Sequence, residues 1–249
     1  MYRRGLLSPD RLSLPDVLGI GVPRAGTTWL YFNLCAHPQV QERTTPKELH
    51  YFSNHFGRPV SWYAAQFAGG EGVRVDVSPS YAYLPRSRIE FIRRIMPDVR
   101  VIVLFRNPID QAWSETLLRL VKRPGVPFEK VDDDRLEEKL RRIAISTDYV
   151  ELLNRWESVI PSEQLFVGYY EDVSQRPRRL LHDVFEFVGV DTDVDWENFP
   201  YDARINANPP APMPSRYRAV LESINRPRLS AIRARFGRRA DSWFEVSES

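Results

Sequence analysis

The sequence predicts an α/β protein: one domain, with a central parallel sheet and helices over both of its faces. Three observations carry that reading. Short apolar runs sized for buried strands recur at 17–22, 73–77, 99–105 and 165–170. Stretches of helical length and pattern lie between them. No internal repeat and no linker long enough to split the chain breaks the alternation. Strands that alternate with helices pair in parallel, and a parallel sheet is covered on both faces.

The elements follow in order. Residues 17–22 form a strand that stops at Pro23. A glycine-containing turn and the helical stretch WLYFNLCAH come next, ended by Pro38. Residues 39–72 mix aromatic and polar residues without a clear period, and TTPKELHYFSNHF at 44–56 stands out among them. The alternating 73–77 stops at Ser78 and Pro79. A helix over 87–96 is closed by Pro97 and Asp98. The most apolar strand, 99–105, ends in Arg106, Asn107 and Pro108, with Asp110 expected to cap a helix through about Val121. A loop at 122–134 precedes helices at about 135–146 and 148–160, then the strand at 165–170. The helix at 178–188 puts Leu181, Val184, Phe185 and Val188 on one face. Residues 191–216, rich in Pro and Asn, read as a long functional loop, and a last helix covers about 217–236. The domain is thus the whole chain, 1–249, with its core at about 17–190.

Composition narrows the function. The chain has 249 residues, 43% hydrophobic and 27% charged, with 35 Lys and Arg against 33 Asp and Glu. That balance excludes a disordered chain, a collagen and a coiled coil. A formal charge of +2, with bases interleaved among acids as in DDDRLEEKLRR at 132–142, does not make a nucleic-acid reader. No apolar run nears the ~18–20 residues of a membrane span. The basic start MYRRGLLSPDRL lacks the apolar centre of a signal peptide. The single cysteine, Cys35, leaves no internal disulfide and no cysteine zinc site. We expect a cytoplasmic protein without nucleic-acid or membrane partners; nothing specifies its oligomeric state. Only four of the basic residues are lysine and 31 are arginine, a bias that suits forked anion recognition but also follows from a GC-rich genome.

An open parallel sheet binds ligands at the carboxyl ends of its strands. After the first strand, Gly21-Val-Pro-Arg-Ala-Gly26-Thr27-Thr28 has the G-x4-G-x-[ST] spacing of a phosphate-binding loop. Backbone amides of such a turn, with the helix N-terminus behind it, cradle anionic oxygens. The fold is therefore P-loop NTPase-like. The loop departs from an NTPase in chemistry: threonine stands at 27 where lysine would reach the β/γ phosphates, and the cation comes earlier, at Arg24. The most apolar strand ends in Arg106 rather than a Mg²⁺-holding acid, although Asp76 does end an apolar run.

GVPRAGTTWL resembles the 5′-phosphosulfate loop of sulfotransferases that use 3′-phosphoadenosine 5′-phosphosulfate (PAPS). VIVLFRNPIDQAWSE resembles the family's second signature, a strand ending in Arg with a Ser eight residues on. FVGYYEDVSQRPRRLLHDVFEFVGV at 166–190 is similar to its Tyr-Glu-Asp strand end and following helix. The resemblance runs in order from about 17 to 190. It implies that Pro23, Arg24, Ala25, Gly26, Thr27 and Thr28 hold the phosphosulfate, that Arg106 and Ser114 meet the 3′-phosphate, and that Trp29 and Tyr170 contact adenine. Trp29 is equally well placed to be a core aromatic. The physical reading agrees, since such a ligand needs two separate anion sites and no metal.

Lys47-Glu48-Leu49-His50-Tyr51-Phe52 resembles the Glu-x-His-aromatic-Phe segment of the glycan sulfotransferases, which implies Glu48 as the base that deprotonates the acceptor and His50 as its support. His50 as the base is the rival assignment, and Arg24 stabilises the leaving phosphate. One departure stands out: glycan relatives carry an acidic-Lys-Thr/Ser-Pro stretch after the second strand, and here it is Asp76-Val77-Ser78-Pro79. The remaining histidines, His37, His55 and His182, are not grouped at metal-ligand spacing. The expected reaction is sulfuryl transfer from PAPS to a hydroxyl of a sugar or small hydroxylated natural product, leaving adenosine 3′,5′-bisphosphate. A nucleotide-dependent kinase needing Mg²⁺ and a non-enzymatic Arg-rich binding protein are the alternatives.

Overall fold

The computed structural model describes residues 12–41, 47–203, 205 and 212–244. Four strands, β1 (Val17–Gly21), β2 (Val75–Val77), β3 (Arg100–Phe105) and β4 (Leu165–Tyr169), form one sheet in the order β2-β1-β3-β4. Every pairing in it is parallel. Every residue of β1 is buried, and so is β3 after Arg100. Side chains of both parities are therefore covered, which explains why these strands read as continuous apolar runs rather than alternations. The order reverses about β1, so the turns that leave β1 and β3 diverge side by side at the carboxyl edge, where a crevice forms.

Helices α1 (Thr27–Cys35), α2 (Val60–Ala65), α3 (Arg86–Ile95), α4 (Pro108–Leu117), α5 (Asp133–Ser146), α6 (Tyr149–Glu157), α7 (Tyr170–Gln175), α8 (Pro177–Val188), α9 (Ser215–Asn225), α10 (Leu229–Phe236) and α11 (Arg238–Phe244) complete the described residues. The main core gathers the strands with Trp29, Leu30, Tyr81, Trp156, Leu181 and Phe185. A second cluster joins Ile109, Trp113, Leu117, Leu136, Leu140, Tyr217 and Leu221, binding α4, α5 and α9 into a wall beside the strand ends. No helix among the described residues is long and apolar enough to cross a membrane.

Three expectations are corrected. Asn107, not Asp110, caps α4: its side chain accepts from the Ile109 amide at 2.9 Å, and Pro108 follows as the first helical residue. Asp110 sits in the first turn. Tyr170 opens α7 instead of ending β4. The single terminal helix expected over 217–236 is two, α9 and α10, parted at Arg226–Arg228, where Pro227 cannot continue the helical hydrogen bonds; α11 follows beyond Gly237. Residues 39–72 hold α2, whose Tyr63 stacks on Tyr51 in an aromatic cluster with no helical period to announce it. Part of the loop at 191–216, residues 204 and 206–211, lies outside the described residues, as do 44–46 of the Glu48 segment.

Candidate active site

The loop between β1 and α1 shows why its residue types are needed. Gly26 caps α1 at φ 87°, and a Cβ there would come within 3.2 Å of Val173 and 3.3 Å of Tyr170. Only glycine gives both the left-handed turn and the close approach to α7. It supplies no capping side chain, so the first-turn amides of α1 suit an anion. Arg24 also holds a positive φ, 67°, without being glycine, a strained conformation of the kind found at ligand sites. Two long-range bonds fix this loop: Gln111 Nε2 donates to the Pro23 carbonyl at 3.0 Å and Arg106 Nη1 to the Arg24 carbonyl at 3.1 Å.

Arg106 leaves β3 with its guanidinium 4.4 Å from the centre of the Tyr170 ring. Arg24 Nε donates to Ser114 Oγ at 3.0 Å. Burial pulls the Arg24 guanidinium below the ordinary arginine value; Glu115 works against this and Arg106 adds to it. Two cations held together and partly desolvated favour an anion between or beside them. Trp29 is nearly buried, 3% exposed, and its indole N–H donates to the Tyr201 carbonyl at 2.8 Å. It is a core aromatic that also borders the cleft.

Across the cleft, Glu48 accepts from Lys47 Nζ at 2.9 Å on Oε1 and meets His50 Nε2 at 3.0 Å on Oε2. His50 Nδ1 lies 2.8 Å from Ser80 Oγ, which in turn lies 2.8 Å from Ser53 Oγ. With the proton on Nε2, the imidazole donates to Glu48 while Nδ1 accepts from Ser80. Burial pushes the Glu48 carboxyl up, but the bond from His50 and the Lys47 ammonium outweigh it and bring it down to about 2. Asp76, the acid that an NTPase reading would recruit for Mg²⁺, is fully buried and accepts from the hydroxyls of Tyr63, Tyr81 and Ser78, each at 2.8 Å. Val77 is buried too, over Gly19.

One cleft of about 1480 Å³ joins these groups. Pro23, Arg24, Gly26, Thr27, Thr28, Trp29, Glu48, His50, Arg106, Ser114 and Tyr170 all line it; Ala25, fully buried, does not.

Residues 14–203 match the family described as the sulfotransferase domain. The chain belongs to that family. Human heparan sulfate glucosamine 3-O-sulfotransferase 6 is 29% identical to it over 204 residues, which cover 78% of this chain and 58% of that protein. The chain therefore spans little more than half the length of that relative. A sulfotransferase from Alicyclobacillus acidocaldarius superposes with a TM-score of 0.72 at 20% identity, covering 93% of this chain and 99% of the other. Mouse sulfotransferase SULT7A1, solved in complex with PAP, gives 0.63 at 15% identity, covering 94% and 90%. These likenesses establish the shared fold, a parallel central sheet of the P-loop-like kind flanked by helices.

Several cleft residues had escaped the sequence reading. Ser80 meets His50 from 30 residues away, Glu115 and Arg119 pair across one helical turn at the cleft wall, and Gln111, buried behind it, reaches the Pro23 carbonyl. Asn107 did carry a signal, an Asn before a Pro at a helix start. His37 is structural as expected, with Nε2 at 3.0 Å from the Asp191 carbonyl and its ring against Phe185. His182 does fall near Asp183 and Glu186 on α8, but Asp183 already pairs with Arg179 and the group stands apart from the cleft.

Proposed function

We propose that the chain transfers the sulfuryl group of PAPS to a hydroxyl of a carbohydrate acceptor and releases adenosine 3′,5′-bisphosphate. The observation that carries this is the joining, in one cleft, of a glycine-turned anion loop, a second arginine at the next strand's end and a carboxylate–imidazole pair. The site fits the donor. The uncapped first-turn amides of α1 behind the Gly26 turn suit the phosphosulfate, and Arg106 with Ser114 suits a separate 3′-phosphate. When bound, PAPS supplies the activated sulfuryl group. Arg24 faces the negative charge that grows on the departing 5′-phosphate as the S–O bond to it breaks. Glu48 orients the acceptor hydroxyl and takes its proton as the new O–S bond forms. Held at about 2, that carboxylate is ionised at every working pH but is a weak base, so the proton moves late, once bond formation has made the hydroxyl acidic. His50, hydrogen-bonded between Glu48 and Ser80, keeps the carboxylate in place.

The carbohydrate acceptor rests on the identity to a heparan sulfate enzyme. Val77 occupies the position where the glycan relatives are expected to carry a lysine, so we propose a sugar less anionic than heparan sulfate. The test is transfer of ³⁵S from labelled PAPS to a panel of neutral oligosaccharides, desulfated glycosaminoglycan fragments and simple phenols. We expect label on a saccharide. Label on phenols alone would overturn the acceptor class, and label on nothing, with no binding of the bisphosphate, would overturn the activity.

A further inference from the structure

The matched family span ends at residue 203, yet the cleft's nucleotide end is braced by a helix beyond it. Trp243 on α11 is nearly buried, and its indole N–H donates to Glu171 Oε1 at 2.9 Å. The same oxygen accepts from the Asn107 amide at 3.3 Å, and Asn107 Nδ2 donates to the Trp243 carbonyl at 2.9 Å. Trp243 thus touches the residue after Arg106 and the residue after Tyr170. A second tie runs from Arg239, whose guanidinium donates to both oxygens of Asp172 at 3.0 and 2.9 Å and lies 4.9 Å from the Tyr169 ring centre. β3 and β4 pair directly as far as Phe105 and Tyr169; beyond that pair, the turns that leave them are tied together by this helix, by the Asn107 amide on Glu171 and by the stack of Arg106 on Tyr170.

We infer that α11 is a positioning element for the nucleotide end of the cleft, acting through Trp243 and Arg239. It ties the turn after Arg106 to the turn after Tyr170 beyond the last sheet pair, and it restrains Glu171. The Trp243 and Asn107 donors hold that carboxylate, whose other oxygen is buried without a hydrogen-bond partner, away from a nucleotide phosphate that it would repel. Release of the indole N–H frees Glu171 to compete for Arg106. The inference rests on the reading that Arg106 meets the 3′-phosphate of the nucleotide.

Two full-length variants test it. Trp243→Phe keeps an aromatic ring in the cluster with Phe236 and Tyr149 and removes the donor along with part of the indole volume, a loss the urea midpoint reads separately. Arg239→Ala removes the second tie at a side chain 37% exposed, and leaves Asp172 paired with Arg176. The readout is the ratio of dissociation constants for adenosine 5′-monophosphate and adenosine 3′,5′-bisphosphate, with the urea midpoint as a check on folding. Wild type should prefer the bisphosphate. Each variant should lower that preference by between about twofold and thirtyfold, the range of couplings through an intervening element. Folded variants that keep the wild-type ratio, or that lose both ligands equally, overturn the inference and leave α11 a purely structural brace. A wild-type ratio near one overturns the nucleotide reading itself, and with it this inference.

Discussion

Glu48 carries a donor on each oxygen, Lys47 on one side and His50 on the other, and this pairing decides what the residue can do. Glu48→Gln keeps the size and removes the charge. It should leave bisphosphate affinity unchanged and lower kcat by roughly 10²–10⁴, the usual worth of a general base. If His50→Ala abolishes turnover while Glu48→Gln barely alters it, the roles are reversed. The same pairing sets a pH dependence of stability. The folded carboxyl titrates at about 2 against an ordinary 4.5, so the stabilisation is fully present above about 4.5 and is lost as pH falls toward 2. Urea midpoints of wild type and Glu48→Gln should therefore differ at pH 6, differ less at pH 3 and converge only as pH falls through about 2. Because a third of the Glu48 side chain is exposed, the difference at pH 6 will be small.

At the scale of elements, β2 is held to the segment before it by one buried acid. Asp76 accepts from Tyr63 beside it in α2, from Tyr81 in the turn after β2, and from Ser78. Burial and the neighbouring carboxylate raise both tyrosines well above their ordinary values, so they remain donors at any working pH. Asp76→Leu would orphan three buried hydroxyls and should cost on the order of 3 kcal/mol or more, read as a drop in urea midpoint without a change in slope. An unchanged midpoint would mean that the hydroxyls find other acceptors. This network was invisible in the sequence, where Asp76 looked like a metal-binding candidate because it ends an apolar run. The strands and the loop after β1 were legible because their signal is local: apolar runs, Pro stops and glycine spacing within a few residues. The Asp110 cap was misread because two capping residues compete there and the nearer one, Asn107, is followed by the proline that starts the helix. The tie from Trp243 to Glu171 spans 72 residues and leaves no periodic trace.

The molecule as a whole places two arginines at the neighbouring ends of β1 and β3, Arg24 and Arg106, joined through the Arg24 carbonyl, and the proposed function gives each an anionic group. That arrangement separates it from a nucleotide kinase on chemical grounds. Thr27 stands where lysine would meet a chain of phosphates, and the acid that would hold Mg²⁺ is already saturated by three hydroxyls. Ligand-induced stabilisation reads the difference without any acceptor in hand. A ligand at 100 times its dissociation constant adds about 2.7 kcal/mol to the folded state. For a domain of 150–250 residues each kcal/mol moves Tm by about 2–4 °C, so adenosine 3′,5′-bisphosphate should raise it by roughly 5–10 °C. The shift should be the same in EDTA, because two guanidinium groups and backbone amides neutralise the ligand without a metal. ATP with Mg²⁺ should give a smaller shift at the same concentration, since it carries no 3′-phosphate for Arg106 and brings a third phosphate that the loop has no lysine to meet. A larger shift with ATP, present with Mg²⁺ and lost in EDTA, would return the site to the kinase reading and leave Arg106 without an anion to bind.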